Sequence, residues 1–72
     1  ITLHYYIDNT YKTSDGSGII WVSPNGERSN MYFYDSATDG NTKSGTCTVP
    51  PGYVLAIHNE NDVRAWYTIY VQ

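Results

Sequence analysis

Ile19-Ile20-Trp21-Val22, then Ser23-Pro24-Asn25-Gly26, then Asn30-Met31-Tyr32-Phe33-Tyr34 carries the strongest local signal in the chain. A short apolar run bounded by turn residues reads as a strand. Pro presets φ for the first corner of a turn, and Asn or Gly accepts the positive φ that a second corner demands. Strand, turn and strand together predict a β-hairpin whose return strand is residues 30–34.

The N-terminal flank supports the same class of structure. Ile1, Leu3, Tyr5 and Ile7 alternate with Thr2, His4, Tyr6 and Asp8, the period of a half-buried strand. Residues 9–18 are polar and contain Asp15-Gly16-Ser17-Gly18, a turn-rich connection. On the C-terminal side, residues 35–45 read as a second polar loop centred on Asp39-Gly40-Asn41. Thr46-Cys47-Thr48-Val49 is a brief strand ended by Pro50-Pro51-Gly52, where Pro followed by Gly suits the central positions of a type II turn. Residues 53–58 form a further strand, residues 59–62 a turn and residues 63–71 the last strand.

Five to six short strands in 72 residues leave no room for parallel crossovers. The chain is therefore predicted to be one domain, residues 1–72. It is all-β, a small antiparallel β-sandwich or flattened barrel joined by hairpins, with a Greek-key arch as an option. Its core is expected to draw on Leu3, Tyr5, Ile7, Ile20, Val22, Phe33, Val49, Leu55, Ile57, Tyr67, Ile69 and Val71.

Composition excludes several functions. Only 15% of residues are charged and the net charge is −3; Lys12, Arg28, Lys43 and Arg64 are scattered rather than gathered into the basic stripe of a nucleic-acid binder or the cluster of an anionic-membrane binder. The longest apolar run, Ile19 to Val22, is far short of the ~20 residues of a membrane span. A Tyr/Thr/Asn-rich, charge-poor β domain that starts on Ile1 rather than Met fits a processed extracellular chain. Cys47 is the single cysteine, so no intrachain disulfide can form; a buried thiol is the expectation, and a bridge between subunits the alternative. A sandwich this small without disulfides has edge strands that invite pairing, which predicts a homo-oligomer.

No catalytic constellation stands out. His4 and His58 have no metal-motif spacing, no Gly-x-Ser-x-Gly elbow occurs, and the carboxylates concentrate in turns. The chain is read as a non-enzyme without a cofactor. Calcium is a lesser option, from Asp35, Asp39 and Asn41 or from Asn59, Glu60, Asn61 and Asp62, although such residues ordinarily support their own turns.

The aromatic content is more informative: 15% of the chain, with Tyr accounting for 8 residues. Strands 1, 3 and 6 carry aromatics on both faces, so one face must expose Tyr6, Tyr32, Tyr34, Trp66 and Tyr70 or cover them with a partner. Exposed Tyr and Trp beside Asn and Asp suit sugar stacking, with amides and carboxylates orienting hydroxyls. The expectation is a lectin-like glycan-binding module using Trp66, Tyr70, Tyr6 and Tyr32 with Asn59, Asn61, Asp62 or Asp35. The alternative is a small secreted inhibitor or toxin that binds another protein, such as an extracellular hydrolase. It would use residues 35–45 or 12–18 as a wedge. Aromatics gathered on one sheet face would favour sugar; a basic or aromatic loop tip would favour a protein cleft.

Overall fold

The computed structural model describes residues 1–11, 16–61 and 63–72. Among them six strands form two three-stranded antiparallel sheets. The strands are β1 (Thr2–Asp8), β2 (Ser17–Ser23), β3 (Phe33–Thr38), β4 (Thr42–Thr48), β5 (Val54–Asn59) and β6 (Trp66–Val71). Sheet A has the order β4-β1-β6 and sheet B the order β3-β2-β5. The protein is an all-β sandwich. No helix among the described residues is long and apolar enough to cross a membrane.

The alternation of β1 sets the register of sheet A. Leu3, Tyr5 and Ile7 face inward and lie opposite Cys47, Gly45 and Lys43 on β4 and opposite Val71, Ile69 and Tyr67 on β6. On β2, Ile20 and Val22 face inward and are fully buried. These residues, with Ala37 and Cys47, are the core, and Phe33, Val49, Tyr53, Leu55, Ala65, Tyr67 and Ile69 pack around it. Burying one such aliphatic side chain is worth about 1.5–3 kcal/mol.

Two expected core residues stand elsewhere. Ile57 is 50% exposed and Val71 65% exposed. Both occupy inward positions, opposite Ile20 and Leu3, but on edge strands. β3 and β4 pack closely against one another across the sandwich, whereas β5 and β6 meet through the Tyr67 hydroxyl at Asn59, and Ile57 and Val71 on these edge strands stay exposed.

The hairpin of β2 and β3 forms, closed by the Tyr32 N–H donating to the Val22 carbonyl at 2.7 Å. Its connection is longer than the tight turn expected at Pro24-Asn25-Gly26. The return strand begins at Phe33, not Asn30, and runs to Thr38. Residues 35–45 are accordingly not a loop: they are most of β3 and the start of β4, with Asp39-Gly40-Asn41 alone between them. Asn9 anchors this corner. It is fully buried; its N–H donates to the Asn41 carbonyl (2.9 Å), its own carbonyl accepts from Gly40 (3.0 Å), and its Nδ2 donates to the Ala37 carbonyl (2.9 Å).

The turn between β4 and β5 is as expected. Tyr53 N–H donates to the Pro50 carbonyl at 3.0 Å, and Gly52 has φ of 82°, the positive value that the third residue of a type II turn requires. Of the connections, β2 to β3 stays within one sheet; β1 to β2, β3 to β4, β4 to β5 and β5 to β6 all change sheet.

Candidate functional site

With Leu3, Tyr5 and Ile7 inward, the other register of sheet A faces out. It presents Thr2, His4, Tyr6 and Asp8 on β1, Thr42, Ser44, Thr46 and Thr48 on β4, and Trp66, Thr68 and Tyr70 on β6. Across the ladder His4 lies opposite Tyr70, Tyr6 opposite Thr68 and Asp8 opposite Trp66. Tyr6 is thus the diagonal neighbour of both Trp66 and Tyr70, within reach of large side chains. Tyr6 is 42% exposed, Tyr70 56% and Trp66 67%.

Further rings extend this patch at both ends. His4 stacks on Tyr70, centroids 5.0 Å apart and planes at 14°. Tyr11, just beyond β1, leans on Trp66 at 5.9 Å and 46°. One face of the Tyr70 ring is therefore taken by His4, and the residue remains 56% exposed. The patch is polar at its border. The Asp8 carboxylate accepts from the Thr10 N–H (3.0 Å) and hydroxyl (2.5 Å), which fixes it beside Trp66. Ser44 and Thr46, opposite Tyr6 and His4, line the β4 side with hydroxyls. The face is shallow, and no cavity opens among the described residues.

The structure brings together three residues expected at the site, Tyr6, Trp66 and Tyr70, and places the others apart from them. Tyr32 precedes β3, its ring edge-on to Tyr53 at 5.7 Å. Asn59 ends β5 in the opposite sheet, and its Oδ1 accepts from the Tyr67 hydroxyl at 2.6 Å. Asn61 occupies a turn with φ of 55°. Asp62 lies outside the described residues, as do Lys12 to Asp15 of the wedge proposed at residues 12–18.

Asp35 faces inward, opposite Ile20. It accepts a hydrogen bond from the Tyr5 hydroxyl and pairs with Lys43 at 3.0 Å. Burial raises the pKa of its carboxyl, but bonds from Tyr5, Lys43 and the Ser36 N–H together pull it below the ordinary carboxylate value. Burial first, then the bond to Asp35 and its charge, push the Tyr5 phenol well above its own ordinary value. This cluster joins the sheets at the β3/β4 edge and leaves Asp35 no role on the outer face.

Polar residues missed in the sequence, namely His4, Asp8, Ser44, Thr46 and Thr68, take the positions assigned to the asparagines. The alternation of β1 already put His4, Tyr6 and Asp8 on one face; the missing information was that β6 and β4 flank that strand.

Metal ligation finds little support in this geometry. His4 is on the outer register of sheet A and His58, opposite Ile19, on that of sheet B, so the two imidazoles cannot share an ion. Among the described residues no three His, Cys, Asp or Glu groups gather. Cys47 is buried in the core, where desolvation raises its thiol pKa and depletes the thiolate that disulfide exchange needs. No protein-family model matches the chain, and neither a curated protein nor a solved structure matches it significantly.

Proposed function

We propose that the outer face of sheet A binds glycans and that the protein is a non-catalytic, lectin-like module of the extracellular space. The observation that carries this reading is the gathering of Tyr6, Trp66 and Tyr70 on one exposed sheet face. Each ring offers apolar area to a sugar ring. Asp8, Ser44, Thr46 and Thr68 supply the donors and acceptors that orient hydroxyl groups. A shallow face limits single-site affinity to the millimolar range, about −4 kcal/mol, and pairing of edge strands into a homo-oligomer would raise it through avidity. The rival reading, an inhibitor or toxin, needs a projecting wedge; of its two candidates, residues 35–45 form most of β3 and the start of β4, and Lys12 to Asp15 of the other lie outside the described residues.

Glycan-array binding followed by NMR titration is the test. Binding should shift the resonances of Tyr6, Trp66, Thr68 and Tyr70 and leave those of sheet B unchanged. If no glycan binds at millimolar concentration, and Trp66→Ala alters no binding, the glycan reading fails. A protein partner captured in a parallel pull-down would then take its place.

A further inference from the structure

Resting on the glycan reading, the outer face also constrains which glycan it accepts. Trp66 and Tyr70 are four residues apart on one strand, a separation of roughly 13 Å at the usual rise per residue. Tyr6 lies between them on the neighbouring strand. Tyr11 prolongs the row beyond Trp66, and His4 sits beside Tyr70 on β1. A single pyranose cannot touch both ends of such a row, and no cavity exists among the described residues to enclose one.

The charge of the face points the same way. None of the outward positions on β1, β4 and β6 is Lys or Arg, and Asp8 is the one carboxylate among them. Lys43, the base on β4, is in the inward register and pairs with Asp35. An anionic sugar would meet no Lys or Arg in the outward register of these strands and would be repelled by Asp8. Between Trp66 and Tyr70 on β6, Thr68 presents a hydroxyl in the same outward register, while Thr42, Ser44, Thr46 and Thr48 form a column of hydroxyls on β4, on the far side of β1.

We infer that the ligand is an uncharged, linear oligosaccharide segment of three or more sugars, lying along β6 from Trp66 to Tyr70 and bound through its interior rather than by a terminal residue.

The probes are length series of one to six units: neutral gluco-, galacto-, manno- and N-acetylglucosamine oligosaccharides, with oligogalacturonates as the anionic counterpart. Affinities are read by calorimetry or NMR titration. A neutral series whose affinity climbs tenfold or more between one and four units, with oligogalacturonates weaker at every length, supports the inference. Trp66→Ala and Tyr70→Ala should each reduce the four-unit ligand to the affinity of the two-unit one. A neutral ligand whose affinity is flat with length, tighter binding of oligogalacturonates, or full length dependence in both variants overturns the inference and leaves the glycan reading standing. If no series binds at all, both fall.

Discussion

Trp21 and Trp66 both stand on the outward register of a sheet, yet Trp21 is 6% exposed and Trp66 67%. The difference lies in what the chain does next. After β2, residues 24–32 return over sheet B. The Gly26 carbonyl accepts the Trp21 indole N–H at 3.0 Å, and the Arg28 guanidinium sits 4.9 Å from the ring centroid. Ile19, two residues earlier on the same face, is also buried. Among the described residues no loop covers Tyr6, Trp66 and Tyr70 on sheet A in this way. The same residue type is therefore a structural element on one face and a candidate contact on the other. Composition counts both alike; topology separates them.

The most severe way to probe this contrast is Trp21→Ala. Truncating a buried Trp costs about 3–5 kcal/mol. The whole stability of a domain this size is only about 4–11 kcal/mol, at roughly 0.05–0.15 kcal/mol per residue. Urea titration should show a chain largely unfolded or barely folded; a midpoint near that of the parent would mean that the covering loop does not anchor sheet B.

Tyrosines permit a gentler version. Tyr5→Phe deletes the donor to Asp35 and should cost about 1.5–3 kcal/mol, the range for a hydrogen bond to a charged group. Tyr70→Phe should be nearly neutral. Acid titration isolates the Asp35 contribution. Its folded pKa is below its unfolded value, so its stabilisation is complete above about pH 4 and is lost as pH falls through the folded value. Tyr5→Phe removes one of the bonds that lower that pKa, so stability in the variant should fall less steeply below pH 4. An unchanged acid limb would remove Tyr5 from the cluster.

Arg28→Ala should cost about 0.5–1 kcal/mol, the worth of an exposed cation–π contact, and should redshift Trp21 fluorescence as water reaches the ring. The smallest stability effect belongs to Trp66→Ala, within about 0.5 kcal/mol, together with weakened binding of the longer glycans. A large destabilisation there would mark Trp66 as a packing residue.

The strands that sequence reading found were those whose burial partners lie on a simple period. β1 alternates because a core lies on one side and solvent on the other, and Ile19 to Val22 is continuously apolar because its strand is central and covered on both faces. The parts of β3 and β4 read as a loop, residues 35–38 and 42–45, were hidden because their inward positions are chemically odd. Asp35 and Lys43 face inward only because Tyr5 and one another await them. Gly45 is inward because a Cβ there would sit 2.9 Å from the Tyr5 hydroxyl. A strand reading Thr-Lys-Ser-Gly-Thr-Cys-Thr has no alternation to detect without knowledge of that ring. The site was half legible for the same reason. Tyr6 shared a recognisable face with His4 and Asp8, but the strands beside β1 come from distant parts of the chain, and no local pattern encodes that pairing.

The connections that change sheet also set an order of events during synthesis. β2 and β3 can zip together soon after they emerge, since one follows the other. β1 precedes them and is the middle of sheet A, with Leu3 opposite both Cys47 and Val71. It cannot be flanked on both sides until β6 is made, and closing contacts so far apart in sequence is intrinsically slow. Pulse-labelling hydrogen exchange should find the β2–β3 amides protected early and the β1 amides late. β1 is thus an unsheltered, aromatic strand until β6 is made, and its apolar side needs keeping from other nascent chains until then.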